Sequence, residues 1–393
     1  VAQYDKDDVE AAGLVKFDFL GLRNLTVIED AVQNINKRIQ SDTPLDIANI
    51  VLDDKAAYLV FAEANTTAVF QFESVGMKKM LKEARPSKFE EIIAFVSLYR
   101  PGPMDLIPDF IHRMHGGDFE YLHPLLEGVL EPTYGIMVYQ EQVMQAAQFC
   151  AGYTLGGADV LRRAMGKKKP EEMIKQRQIF IEGAAKKEID EPTANHIFDY
   201  MEKFAGYGFN KSHAAAYALV AYQTAWLKAH YPSEFMAAVL SSEMQNTDSI
   251  VFLIDDCRNN KLEVLPPSIN RSLYHFHASD EQTIVYGLGA IKGVGEQAMQ
   301  SVIESRIKEG AYKDLFDFCH RIDLKKINKR TLEALVRAGA LDCLGIERSS
   351  LMAQLPEAVQ AADQARSNRE TGIMDLFGEV EEVQRKPAKP VNP

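Results

Sequence analysis

The sequence predicts a mainly α protein with a short β element near its N-terminus and a small, separately patterned helical unit near its C-terminus. Three observations carry this. From Asn24 to about residue 265 apolar residues recur at helical spacing, broken only by short Gly- and Pro-rich stretches. Before that, Val15, Phe17 and Phe19 alternate with Lys16, Asp18 and Leu20, which is the period of a strand. Beyond Leu262 the pattern changes to short alternating runs, then to a Gly293-Val294-Gly295 turn feeding a helical stretch.

In chain order, a strand over residues 15–20 buries its aromatic face and sets Lys16 and Asp18 side by side, their Cα atoms roughly 6.5 to 7 Å apart. An ammonium and a carboxylate so placed suit a substrate phosphate and a metal ion; they equally suit an exposed strand face. The first helix follows Asn24, with Leu25, Ile28, Val32 and Ile35 on one face. Ser87-Lys-Phe-Glu90 reads as a capping box for the helix that carries Ile92, Ile93, Phe95 and Val96. That helix must end before Arg100-Pro-Gly-Pro103. Further helices fit residues 136–151, 170–187, 191–204, 213–230 and 233–244, the last two parted by Tyr231-Pro232. Residues 274–278 and 283–286 suggest a hairpin, residues 328–344 a second helix-turn unit around Arg337-Ala-Gly-Ala340, and residues 348–365 a final helix.

The most pronounced chemical feature spans residues 154–177. Between Ala158 and Arg177 seven cations (Arg162, Arg163, Lys167, Lys168, Lys169, Lys175, Arg177) face three acids, inside a chain of net charge -12. Thr154 with Gly156-Gly157 starts a helix in which Val160, Leu161, Ala164 and Met165 face the core, so that Arg162 or Arg163 points outward. Gly166 is expected to stop it, Lys167-Lys168-Lys169 to form the loop, and Pro170 to open the next helix. Cations at one helix end and before another can surround phosphates, and paired guanidinium forks bind them bidentately. A solvated Lys-rich turn is the plainer reading. A second anion site is suggested by residues 206–212, where Asn210 or Ser212 can cap a helix and leave free N–H groups beside Lys211 and His213; an ordinary helix entry fits as well. Lys292 with the Gly293-Val294-Gly295 turn resembles the hairpin of a helix-hairpin-helix motif, whose main-chain N–H groups bind DNA phosphates without reading sequence. A tight turn with no ligand has the same pattern. His275 with His277, and the trio His112, His115 and His123, lack a ligand set and read as surface residues. Residues 371–378 form an apolar island among acidic and Pro-rich sequence, suited to docking in a partner's groove.

Composition adds limits. At 46% hydrophobic and 25% charged the chain is ordinary for a globular protein with two or three domains. Cys150, Cys257, Cys319 and Cys343 lie far apart without a CxxC pair, which argues against a disulfide framework or a zinc finger and for a reducing, cytoplasmic setting. The longest apolar run, residues 214–222, is too short to span a bilayer, so no membrane is expected. An opening on Val1 and a Lys/Pro-rich close suggest a piece of a larger protein.

Gly13-Leu-Val-Lys-Phe-Asp-Phe-Leu-Gly21, Tyr99-Arg-Pro-Gly-Pro103, Arg162-Arg-Ala-Met-Gly-Lys-Lys-Lys-Pro-Glu-Glu172 and Phe209-Asn-Lys-Ser-His-Ala-Ala-Ala-Tyr217 stand in the order found in a known family. Together they resemble the alpha subunits of bacterial DNA polymerase III, the C-family replicative polymerases, over essentially the whole chain. The resemblance implies the end of a palm at residues 1–25, helical fingers at 26–265, a tandem helix-hairpin-helix, clamp-binding domain at 266–368 and a tail with a clamp peptide at 369–393. It implies template-directed addition of deoxynucleotides to a primer 3′ end by magnesium-dependent phosphoryl transfer. Asp18 matches a catalytic aspartate that binds one of two Mg²⁺ ions, and Lys16 a lysine near the triphosphate. Arg162 and Arg163, with Lys167, Lys168 and Lys169, match fingers residues that meet the nucleotide's phosphates, a role extended to Lys211 and His213. Implied partners are primer-template DNA, deoxynucleoside triphosphates, the sliding clamp (beta subunit) and other subunits of the polymerase III holoenzyme.

The chain departs from the family in two places. The family's first two catalytic aspartates have no counterpart here, so the chain is expected not to polymerise alone. The clamp peptide, Ile373-Met374-Asp375-Leu376-Phe377, begins with isoleucine where the family has glutamine. An accessory error-prone polymerase of the same family, and a non-enzymatic DNA and clamp adaptor, are the alternatives.

Overall fold

The structure is a computed structural model that describes residues 3–15, 21–167 and 170–370. The strand expected over residues 15–20, with Lys16 and Asp18, therefore lies outside the described residues, as do Lys168, Lys169 and the tail from residue 371.

Helices dominate. A short α1 (Lys6–Ala11) precedes α2 (Arg23–Ile39), α3 (Lys55–Ala62), α4 (Val75–Ala84), α5 (Phe89–Leu98) and α6 (Ile107–Met114). A single turn, α7 (Glu127–Leu130), leads to α8 (Gln140–Ala151), α9 (Leu155–Lys167), α10 (Pro170–Ala185) and α11 (Glu191–Ala205). The longest helix of this central part, α12 (Lys211–His230), is followed by α13 (Pro232–Ser242) and α14 (Thr247–Asn259). A small sheet, β1 (Glu263–Leu265), β2 (His277–Ala278) and β3 (Thr283–Val285), is succeeded by α15 (Glu296–Glu309), α16 (Leu315–Arg321), α17 (Lys329–Arg337) and α18 (Arg348–Glu370).

Side chains from these helices close over four apolar cores. The first gathers Phe61, Phe72, Phe95 and Phe110 from the α3–α6 region against Tyr222 of α12. The second fills the space among α7 to α11 with Leu161, Phe180, Phe198 and Met201. A third joins α2, α13, α14 and the sheet through Ile28, Ile35, Phe235 and Ile284. The fourth, with Val302, Phe318, Leu335 and Leu351, belongs to the C-terminal unit. Helix α12 contributes Ala225 to the first core and Leu227 to the third, so it is the beam on which both rest. Burying side chains of this size, about 1.5 to 3 kcal/mol each, is what overcomes the cost of ordering so many helices.

Several sequence expectations are corrected. On α2 the buried face is Val27, Ile28, Ala31 and Ile35, while Leu25 is 51% exposed. The seam is therefore rotated by less than about a quarter turn from the one drawn through Leu25 and Val32, with Ile28 and Ile35 common to both. Helix α5 is capped by Glu91 rather than Glu90: its carboxylate accepts the N–H groups of Ser87 (2.7 Å) and Lys88 (3.1 Å) and the hydroxyl of Tyr134 (2.7 Å). Residues 136–139 are extended, not helical; Gln142 turns back so that its Oε1 accepts the N–H groups of Val138 and Tyr139, and α8 starts only at Gln140. Gly166 does not stop α9, which runs to Lys167. Within α9, Ala158 replaces Val160 in the core, and Val160 is 52% exposed.

The hairpin of β2 and β3 is present, pairing His277 with Val285 and Ala278 with Ile284. Strand β1, not foreseen as a strand, adds in parallel on the other side of β3, giving the order β1-β3-β2. No helix among the described residues is long and apolar enough to cross a membrane.

Candidate functional site

Three sequence stretches that looked separate meet at the N-terminal end of α8. The first is the turn after α5. Gly102 sits at φ +98°, a conformation that side chains rarely adopt, and a Cβ there would lie 2.6 Å from the Tyr207 ring. The adjoining Arg100 lays its guanidinium over the Phe209 ring, 4.3 Å from the centroid, and donates from Nη2 to the Tyr207 carbonyl at 2.9 Å and from Nε to the Ser97 carbonyl at 2.8 Å. The Pro-rich turn thus clasps the glycine-rich loop before α12.

That loop also pairs with the strand-like segment before α8. Tyr139 and Phe209 form a parallel bridge, with Phe209 N donating to Val138 O (3.1 Å) and Gln140 N to Phe209 O (2.9 Å). The start of α12 is capped by Asn210, whose Oδ1 accepts the His213 N–H at 2.8 Å. Free N–H groups were expected here. Instead the Glu141 carboxylate takes the Lys211 N–H, at 3.1 and 3.0 Å, so an anion of the chain itself sits at the positive end of the helix. The Lys211 ammonium is directed over the Tyr139 ring, 5.4 Å away, and His213 stands between Phe209 (5.5 Å) and Tyr217 (4.4 Å).

The third stretch is α9. Thr154 Oγ1 accepts the Gly157 N–H at 3.1 Å and starts the helix, as the sequence suggested. Arg162 is half-buried; its Nε and Nη2 bond Asp159 Oδ1 at 3.0 and 2.7 Å, and its Nη1 reaches Gln140 Oε1 at 3.2 Å. Arg163 is 67% exposed and pairs with the other Asp159 oxygen at 2.8 Å. Bonding to Arg162 first, and the charge of both arginines, hold the Asp159 carboxyl below the usual carboxylate range. One carboxylate thus orders two guanidinium groups without neutralising both.

Arg162 is accordingly tied to Gln140 and the Lys211 backbone to Glu141, with His213 following in the first turn of α12; Gln140 and Glu141 are two residues that sequence reasoning missed. The only signal available for them was their place just before an apolar helical run. Lys167 ends α9, whereas Lys168 and Lys169 lie outside the described residues with Lys16 and Asp18. Among the described residues no group of three or more His, Cys, Asp or Glu could hold a metal ion.

The Gly293-Val294-Gly295 turn belongs to the C-terminal core. Ile291 and Val294 anchor it, Lys292 is exposed, Gly293 has φ +86°, and a Cβ at Gly293 or Gly295 would meet nothing within 4 Å. Gly295 precedes α15 with no side-chain cap. Thr331 of α17 donates to Gly293 O at 3.3 Å, joining the two helix-turn units.

Comparison with known proteins decides the family. Residues 24–188 match the bacterial DNA polymerase III alpha subunit finger domain and residues 261–351 a helix-hairpin-helix motif. The DNA polymerase III subunit alpha of Neisseria meningitidis serogroup A is 62% identical over 378 residues, 96% of this chain and 33% of that protein. Those of Xylella fastidiosa (strain Temecula1) and Escherichia coli (strain K12) are 59% and 57% identical over 382 and 388 residues, in each case 96% of this chain and 32% and 33% of theirs. The chain belongs to the DNA polymerase III alpha subunit family. It spans about a third of the length of these relatives. The finger-domain match contains Arg100, Gln140 and Arg162, whereas Lys211 and His213 lie beyond its end.

Proposed function

We propose that this chain supplies the fingers and a duplex-holding unit of a replicative DNA-directed DNA polymerase, with the domain limits given by the family resemblance. The observation that carries this reading is the convergence of Arg100, Arg162, Lys211 and His213 on one end of α8, from three stretches that each resemble the family. A triphosphate presented to this face meets the Arg162 fork, the exposed Arg163 and the Lys211 ammonium. Beyond its bonds to Asp159 and Gln140, each Nη of Arg162 carries a second N–H, and these are the donors proposed for phosphate oxygens, as charge-assisted bonds. Electrostatic stabilisation of charge developing on the transferred phosphoryl is the contribution such cations make to nucleotidyl transfer. Lys167, Lys168 and Lys169 are proposed, from the family resemblance alone, to meet the same phosphates.

Bound magnesium would supply Lewis-acid stabilisation of the reacting phosphate. Asp18 is the proposed ligand, with Lys16 beside the triphosphate. The described residues offer no carboxylate cluster of their own for such an ion, and what they contribute is phosphate binding. With Asp18 as its one matched catalytic carboxylate, the chain by itself is proposed to bind nucleotide without extending a primer. Lys292 and the Gly293-Val294-Gly295 turn are proposed to hold duplex backbone, and residues 373–377 to dock on the sliding clamp.

Primer extension by a full-length alpha subunit carrying this stretch, with magnesium and the four deoxynucleotides, tests the reading. Asp18→Ala is expected to abolish extension and Arg162→Ala to lower kcat/KM for the nucleotide by about tenfold or more, the worth of one charge-assisted bond. Unchanged extension in both variants overturns it.

A further inference from the structure

Gln140 is the first residue of α8, and its side chain spans two elements that no other side-chain hydrogen bond joins among the described residues. Its Oε1 accepts from Arg162 Nη1 at 3.2 Å, on α9, and its Nε2 donates to the Gly208 carbonyl at 3.0 Å, in the loop that opens α12. A guanidinium only donates and a carbonyl only accepts, so the orientation of the amide is fixed by its partners. Of the uncharged or acidic side chains of this length, only the carboxamide serves both. A carboxylate would hold Arg162 but repel the carbonyl. The loop is fitted to this side chain: a Cβ on Gly208 would lie 3.2 Å from Gln140 Cγ and 3.3 Å from its backbone nitrogen.

Arg162's other partner, Asp159, lies one turn away on the same helix and moves with it. Asp159 therefore fixes the rotamer, whereas Gln140 fixes the guanidinium relative to α12. Next to it, Glu141 ties the Lys211 N–H to the same end of α8.

We propose that Gln140 is a positioning residue for the polyphosphate: it holds Arg162 at a set distance from the Lys211 and His213 end of α12, so that both cationic elements grip one ligand. This rests on the phosphate-binding role of Arg162 proposed above. Gln140 itself touches no phosphate. Its effect is carried by Arg162, and that is what separates it from a residue that merely stabilises the fold.

The test is calorimetric titration of inorganic tripolyphosphate into this chain as wild type, Arg162→Ala, Gln140→Ala, Gln140→Glu and the Gln140→Ala/Arg162→Ala double variant, each with a thermal melt. Arg162→Ala is expected to weaken binding at least about tenfold, and Gln140→Ala about three- to tenfold, the range of one hydrogen bond. In the Arg162→Ala background Gln140→Ala is expected to cost nothing further, as coupling through a shared partner requires. Gln140→Glu is expected to bind more weakly than Gln140→Ala, because the new carboxylate competes with phosphate for the guanidinium. Wild-type binding by both Gln140 variants while Arg162→Ala is weakened overturns the positioning role. Equal losses from Gln140→Ala with and without Arg162 overturn it too, assigning the residue to the fold. Undiminished binding by Arg162→Ala removes the underlying reading itself.

Discussion

Asp159 serves two cations at once, and its titration reports whether they are ordered as described. Hydrogen bonding from Arg162 depresses its folded pKa below the unfolded value. The pair therefore contributes stability above the unfolded pKa and loses it as pH falls through the folded one. NMR titration is expected to place the Asp159 midpoint below the ordinary carboxylate range, and to move it back up in Arg162→Ala; a midpoint indifferent to Arg162 contradicts the geometry. At this scale the sequence was partly legible. The cations at Arg162 and Arg163 stand out by local charge, and Lys211 and His213 by their place at a capped helix start. Gln140 and Glu141 were not legible, because a polar pair at a helix N-terminus looks the same whether it serves a ligand, a loop or water. Leu25 and Val160 were misread because periodicity fixes which residues share a face but not which side of the helix another element will cover.

At the scale of elements, the helices were legible wherever a breaker marked their ends. Tyr231-Pro232 divides α12 from α13, and Pro170 opens α10, as their chemistry requires. The failures came where a tertiary contact outweighed local preference. Residues 136–139 are apolar enough to continue α8 backward, but Gln142 and the Phe209 backbone take their hydrogen bonds and hold them extended. Gly166 is a weak helix former, yet α9 passes through it because Leu161, Ala164 and Met165 are already anchored. The clasp between the turn after α5 and the loop before α12 yields its own prediction. Gly102→Ala imposes a Cβ at φ +98° and drives it into the Tyr207 ring. Chemical denaturation is expected to show a loss of about 1 to 3 kcal/mol. The same variant is expected to weaken phosphate binding, since Arg100 and Phe209 shift with the loop. A neutral effect on both would mean the loop is not clasped.

Across the molecule, the mainly helical class and the distinct C-terminal unit could be read from periodicity alone, but the way the cores share α12 could not. Contacts such as those of Lys228 span the chain. Its ammonium is buried, donating to the Thr67 carbonyl at 2.9 Å and to Asp256 Oδ2 at 3.0 Å, which fastens α12 to α14 and to the segment after α3. Asp256→Ala leaves that charge buried with one neutral acceptor. Denaturation is expected to show a loss of about 3 to 5 kcal/mol. By contrast, Arg258→Ala, which removes an exposed pair with Asp255, is expected to change stability by less than about 1 kcal/mol. If the two variants proved equally mild, α12 would not be the beam on which the cores rest.

The central claim is that one end of this beam, with Arg162 beside it, is built for a nucleotide's phosphates. Its most direct test is the affinity of this chain for a deoxynucleoside triphosphate, measured calorimetrically at two salt concentrations for wild type, Arg162→Ala and Lys211→Ala. The structure predicts saturable binding that weakens with salt, as screened charges require, and falls about tenfold or more in each variant while the thermal melt is retained. Binding of equal strength in all three proteins, or none in a folded wild type, would contradict it.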